Sequence, residues 1–289
     1  MGFRTVVINS RCKLSLQLGY LVCRGEEEGR IHLKEISTII IQNPSISITT
    51  ALLIELNKQN IDVIFCDEKS NPSFSIAPFS QGHRSYGSLK KQMAWTTKTK
   101  KEVWTRIVRE KILNQRRLLI KQNHFEAADL LEQYLSELVE GDETNREGHA
   151  AKVYFNALFG QEFSRRKENV VNGPLNYGYS IILSTINRNI VTSGYLTQLG
   201  IWHDNEFNHF NLGCDLMEPI RPFVDLELFK LSDLDDFKLP MANILNIEVE
   251  FDGKKTLLST ALNRYVHCFL NAMNDNDPKK VIFPIRNEL

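Results

Sequence analysis

The hydrophobic positions of this chain change their rhythm about a quarter of the way along. Residues 3–70 carry short apolar runs at 5–8, 19–23, 37–41 and 61–67, separated by polar turns, which is the pattern of β-strands. Within 47–60, Ile48, Ala51, Leu52, Ile54 and Leu56 fall at helical spacing, and the stretch 26–30 reads as a hairpin turn. From there on, apolar residues recur every three or four positions. That spacing predicts helices over 95–122, 124–140, 148–159, 177–199 and 256–273, with 172–176 as a turn and Gly160 as a helix stop.

The Pro-, Ser- and Gly-rich residues 71–87 separate the two rhythms, so a linker is expected at 76–87. The expected fold is α+β: an N-terminal β-sheet domain over 1–75, then a larger all-α C-terminal domain over 88–289. A length of 289 residues suffices for two such cores.

Composition narrows the setting. The chain is 42% hydrophobic and 24% charged, as in ordinary globular proteins, and no apolar run reaches the ~18 residues that span a bilayer. The start Met1-Gly2-Phe3-Arg4 lacks a signal-peptide core, so a cytoplasmic protein is expected. Five scattered cysteines form no CxxC pair, which argues for reduced thiols over a zinc knot or a disulfide framework.

Formal net charge is zero, yet charge is segregated along the chain. Residues 84–121 hold twelve Lys or Arg against two Glu, and residues 225–252 hold eight acids against two Lys. A basic face of this kind attracts phosphates locally whatever the total. Its plain alternative is a solvated helix surface, just as Trp95 and Trp104 within it read as core anchors or as platforms for nucleotides.

The candidate chemistry lies in acids that lack an obvious neutraliser. Asp215 and Glu218 stand three residues apart in Gly213-Cys214-Asp215-Leu216-Met217-Glu218-Pro219-Ile220-Arg221-Pro222, with His203 twelve residues upstream of Asp215 and Glu147 farther back. Carboxylates with one imidazole and no thiolate cluster suit Mg²⁺ or Mn²⁺ better than Zn²⁺. Each residue has a structural reading as well. Thr144-x-x-Glu147 matches a helix capping box, Asp215 and Glu218 can pair with Arg221, and His209 competes with His203 for the histidine role.

Taken together, residues 146–155, the 172–179 turn, His203 and residues 211–225 resemble, in order and spacing, the CRISPR-associated integrase subunit of spacer acquisition, the Cas one family. Chain length and the DLMEPIRP segment resemble its type II branch most. The resemblance implies a homodimer joined through the β-domains, and a metal site of Glu147, His203 and Glu218 binding Mg²⁺ or Mn²⁺. Many members carry Asp where this chain has Glu218.

It further implies a DNA integrase that inserts short foreign fragments into a CRISPR array by 3′-hydroxyl attack on repeat phosphodiesters, with endonuclease side activity. The implied partners are double-stranded DNA fragments, repeat DNA and a small companion subunit (Cas two family) in a heterohexamer. A third acquisition protein and the type II effector nuclease complete the set. Candidate DNA contacts are Arg84, Lys90, Lys91, Arg106, Arg109, Arg165 and Arg166. A DNA-binding scaffold without chemistry and a small-molecule metallohydrolase are the alternatives.

Overall fold

The computed structural model describes residues 4–25, 28–68, 72–76, 85–167 and 169–289. Most of the expected linker, and Arg84 with it, lies outside the described residues.

Among the described residues, eight strands and one α-helix build the first part. They are β1 (Arg4–Ile8), β2 (Cys12–Gln17), β3 (Tyr20–Gly25), β4 (Gly29–His32), β5 (Ile36–Ile41), β6 (Ser47–Ile48), α1 (Thr50–Lys58), β7 (Asp62–Cys66) and β8 (Pro72–Ser75). One sheet runs β1-β5-β7-β8 with β1, β5 and β7 parallel, and the other runs β4-β3-β2-β6. Strand β2 has no counterpart among the expected elements. It joins β3 through Leu18 and Gly19, both at positive φ, a tight hairpin turn that Leu-Gly does not advertise as Asn-Gly would.

Helices dominate the rest: α2 (Ser85–Met93), α3 (Thr97–Lys121), α4 (Phe125–Ser136), α5 (Arg146–Phe159), α6 (Asn172–Thr192), α7 (Asn211–Met217), α8 (Arg221–Leu228) and α9 (Lys238–Ala242). A hairpin of β9 (Glu248–Phe251) and β10 (Lys254–Leu257) precedes α10 (Leu258–Asp275). The second part is therefore not wholly helical. The hairpin turns at Asp252-Gly253, again both at positive φ, and that dipeptide between alternating Val249, Phe251 and Thr256 was its sequence signal. Helix α6 also starts five residues earlier than its spacing suggested. The expected turn at 172–176 is its first turn, where Pro174 is tolerated because the amide it lacks has no intrahelical partner there.

The β1-β5-β7-β8 sheet is the wall between two cores. Because side chains alternate across a strand, Ile39, Ile41 and Val63 face the core of the β-part, while Ile40, Ile64 and Cys66 face the helical core. This explains why residues 37–41 read as one continuous apolar run: both faces are buried. Polar groups cross the same junction. Gln42 donates to the Tyr177 hydroxyl at 2.5 Å, and Arg188 lies 3.6 Å from the carboxylate of Asp62.

Burial lifts the Asp62 carboxyl from 3.8 to about 6, against the opposing pull of Arg188. The folded chain thus holds this proton more tightly than the unfolded one. Its stabilising contribution is fully present below the unfolded value and is lost as pH rises through about 6. Asp62→Asn is expected to flatten the stability curve by about 3 kcal/mol between roughly pH 4 and 7, measured by urea melts. A curve as steep as that of the unsubstituted chain would contradict this.

Candidate active site

Helix α3 runs through the helical part with its apolar stripe buried: Val103, Trp104, Ile107, Val108, Ile112, Leu118 and Leu119. Lys111 sits in that stripe and is only 5% exposed. A buried ammonium needs partners. It has two, the Oε1 of Glu147 and, at 2.5 Å, the Oε2 of Glu218. Burial depresses the Lys111 pKa, but the charges of Glu218 and Glu147 outweigh it, and the ammonium is held charged above its ordinary range.

Glu147 arrives from the first turn of α5. The expected capping box does not form: the N-cap is Asn145, in the left-handed region, and Thr144 stands outside the helix. Asp142 takes over the capping, accepting from the amides of Arg146 at 2.7 Å and Glu147 at 3.0 Å. The Glu147 side chain is thereby released from local duty and reaches across to α3.

Glu218 arrives from the sharp joint between α7 and α8, a 3₁₀ turn over Glu218–Ile220 with Pro219 second. Proline keeps the chain in helical φ while removing a donor, so the joint bends without leaving an unpaired amide. Glu218 Oε1 accepts from Arg221 Nε at 2.8 Å. Burial by itself would raise the Glu218 carboxyl, but Arg221 and Lys111 overcome it and bring it down to about 2. Arg221 in turn lies 4.8 Å from the centre of the Tyr179 ring. The Tyr179 and Tyr154 hydroxyls both donate to buried Asp225, so the joint is braced from behind.

Asp215 serves a different neighbour from Glu218, although they are one helical turn apart. It is fully buried and accepts from the amides of Ile201, Trp202 and His203 at 2.7, 3.3 and 2.9 Å. It also holds His203 Nδ1 at 2.7 Å, which raises the imidazole pKa mainly through that hydrogen bond. Gly200 makes the loop possible: a Cβ there would stand 2.3 Å from the His203 carbonyl oxygen and 2.8 Å from Asp215 Oδ2. Edge-on packing against Trp104 of α3, at 5.8 Å between ring centres, fixes the other side of the His203 ring. His209 is exposed, and its backbone carbonyl accepts from Thr197.

The fold thus brings Glu147 and Glu218 to one point and sets His203, clamped by Asp215, against the same helix. Among the described residues no three His, Cys, Asp or Glu side chains are gathered closely enough to cage a metal. The donor chemistry nevertheless fits a hard divalent cation. Two carboxylate oxygens already converge on a cationic atom, and an imidazole oriented by a carboxylate through its other nitrogen is the usual support of a metal-binding histidine. Lys111 escaped sequence analysis because it was counted with the basic surface. Its position seven residues after Trp104 and four before buried Gln115 was the signal that it faces inward.

The basic residues divide by exposure. Lys90, Lys91, Arg109 and Arg166 are exposed. Arg106 donates to the Val281 carbonyl at 2.9 Å, and Arg165 donates to Asn172 and Asn176 while facing the Tyr179 ring. A pocket of about 620 Å³ opens beside His203, floored by Trp202, which stacks on Trp104 at 5.3 Å.

Residues 5–253 match the family described as CRISPR associated protein Cas1. A CRISPR-associated endonuclease Cas1 of Neisseria meningitidis serogroup C (strain 8013) is 33% identical, over 98% of this chain and 96% of its own. Among solved structures, a casposase bound to integration product superposes with a TM-score of 0.79 at 19% identity, over 94% of this chain and 91% of that one. A chain of a Cas6-RT-Cas1–Cas2 complex superposes with a TM-score of 0.75 at 16% identity, over 99% of this chain and 36% of that one.

Proposed function

The chain belongs to the Cas1 family, and from that membership and its converging carboxylates we propose that it is a metal-dependent DNA integrase of CRISPR spacer acquisition. The observation that supports this most is the meeting of Glu147 and Glu218, from segments 71 residues apart, at one buried cationic position on α3, the helix against which an oriented histidine also packs. The type II branch is consistent with the similarity to the Neisseria protein.

In the proposed reaction a 3′-hydroxyl of the incoming fragment attacks a repeat phosphodiester. One P–O bond forms as another breaks; the attacking hydroxyl gives up its proton, and the 3′-oxygen of the cut repeat strand leaves and takes one up. No bond energy is lost, so no nucleotide need be hydrolysed; water as nucleophile gives nicking instead. Glu147, His203 and Glu218 are the residues that would hold Mg²⁺ or Mn²⁺. When bound, the ion supplies positive charge to the phosphoryl oxygens as negative charge builds on them.

The protein's own part is to prepare the site. Asp215 keeps His203 in one ring orientation with Nε2 as the nitrogen available to an ion. Arg221 keeps the Glu218 carboxylate charged and aimed. Asp142 fixes the start of α5, and with it the origin of Glu147.

The partners proposed are fragment and repeat DNA, a second copy of this chain, and a companion of the Cas2 family, since Cas1–Cas2 complexes are among the solved structures of this fold. A third acquisition protein and the effector nuclease belong to the same proposal. The alternative is a scaffold of the same complex in which Lys111 and Arg221 simply neutralise two structural acids. Strand transfer of a fragment into repeat DNA separates the two: the integrase gives joined product with Mn²⁺ and none with chelator, whereas a scaffold gives none in either.

Exposed Lys90, Lys91 and Arg109 are the proposed phosphate-binding side chains. Reversing Lys90 and Lys91 to Glu is expected to weaken binding uniformly across sequences and to lower the log–log salt slope by about 1 for each phosphate no longer neutralised. Arg165→Ala is expected to leave that slope unchanged and lower the melting temperature, because its guanidinium is spent on Asn172 and Asn176.

A further inference from the structure

Lys111 is a residue with a role of its own, which rests on the metal reading above but goes beyond it. Its ammonium meets one oxygen of each acid, so it stands where the two carboxylates share a cation. Lys111, Arg221, Glu147 and Glu218 already balance, two positive charges against two negative. A divalent ion joining that group with Lys111 still in place would face an ammonium inside its own coordination distance, at the cost of direct like-charge repulsion in a buried site.

The two cations bound to Glu218 differ in freedom. Arg221 is fixed by a planar guanidinium, bonded to Glu218 on one side and set over the Tyr179 ring. Lys111 is a point charge at the end of a flexible four-carbon stem. One of them can leave, and the geometry says which. Without either cation the two acids would repel, and Asn114, which donates to the Pro219 carbonyl at 2.9 Å, would be left as the polar tie between the α7–α8 joint and α3.

We propose that Lys111 is a tethered counter-ion that holds Glu147 and Glu218 together in the metal-free protein and is exchanged for the divalent cation on binding. Metal uptake is then a swap of one cation for another, and the metal-free chain folds with its carboxylates already assembled. Apparent metal affinity is correspondingly weakened by the tethered competitor.

The test is titration of Mn²⁺ into the full chain, without DNA, by calorimetry, alongside thermal melts with chelator and with Mn²⁺. Lys111→Met is expected to bind Mn²⁺ about tenfold or more tighter than the unsubstituted chain, because the competitor is gone. It should also melt lower in chelator and recover more with Mn²⁺ than the unsubstituted chain does. Equal or weaker Mn²⁺ affinity, or an equal loss of melting temperature with and without the ion, would overturn the exchange and leave Lys111 a fixed structural pair.

Should Lys111→Met not fold, the unsubstituted chain still decides. In lysine-selective carbon NMR, with the Lys111 Cε signal assigned through Lys111→Arg, Mg²⁺ should shift that signal over the concentrations at which Mg²⁺ binds. A signal that stays in place while Mg²⁺ binds refutes the exchange alone. If neither Mn²⁺ nor Mg²⁺ binds even at millimolar concentration, the metal reading fails with it.

Discussion

Glu147→Ala is expected to cut metal-dependent strand transfer by about 10³-fold or more while leaving the chain folded and its DNA affinity near that of the unsubstituted protein. Of the two acids at Lys111, Glu147 is the cleaner one to remove. Its side chain is partly exposed, and without it Lys111 still has Glu218 at 2.5 Å. Removing Glu218 instead would leave partly exposed Arg221 without its carboxylate and buried Lys111 with only the partly exposed Glu147, and breaking such a pair costs several kcal/mol. A dead Glu218 variant could therefore reflect unfolding, whereas a dead Glu147 variant reflects lost chemistry. Assay of joined product in Mn²⁺, with DNA binding followed in parallel, reads both quantities. Strand transfer by Glu147→Ala at the unsubstituted rate would remove this acid from the reaction.

Asp215 carries the second large effect, and it divides into stability and activity. Asp215→Ala leaves the amides of Ile201, Trp202 and His203 without their acceptor, the first of them buried and the other two part-buried. An unpaired buried donor costs about 1–3 kcal/mol and the part-buried ones less, so a loss of about 2–3 kcal/mol is expected in urea melts. Asp215→Asn keeps the shape and one acceptor oxygen but loses the charge that orients His203. For that variant a smaller stability loss and a roughly 10- to 100-fold fall in strand transfer or metal affinity are expected, the usual range for a residue behind a metal-binding histidine. Near-unchanged melting of Asp215→Ala would mean that the 201–203 loop finds other partners.

The sequence offered the candidate residues as a set but not their geometry. Glu147, His203 and Glu218 stood out by chemistry and order along the chain, and the fold sets all three around α3. Asp215 and Glu218 were expected to share a helical face, and they do follow one another at helical spacing. Their tasks separate because the 3₁₀ joint turns Glu218 toward Lys111, while Asp215 faces a loop whose approach depends on Gly200. Neither partner is adjacent in sequence, so no local pattern could show it.

Other misses have equally specific causes. The capping box at Thr144 and Glu147 failed because Asp142, five residues before Glu147, caps the helix from an irregular turn containing positive-φ Gly141, Asp142 and Asn145. Twelve basic residues over 84–121 suggested one charged face, yet α3 buries Lys111 and commits Arg106, Arg116 and Arg117 to neighbours. Charge counts along a sequence do not resolve which side of a helix a lysine occupies; its place relative to Trp104 and Val108 does. The β-rich start was readable from its short apolar runs between polar turns, but the role of β5 and β7 as a wall between two cores is a property of the packed sheet.

The most direct measurement of the central claim is the position of Mn²⁺ in crystals of the full chain, found by its anomalous scattering. One peak is expected about 2.0–2.4 Å from oxygens of Glu147 and Glu218 and from the His203 ring nitrogen not bonded to Asp215, with the Lys111 ammonium displaced from between the acids. A saturating soak that leaves Lys111 bridging Glu147 and Glu218, with the metal elsewhere or absent, would contradict it.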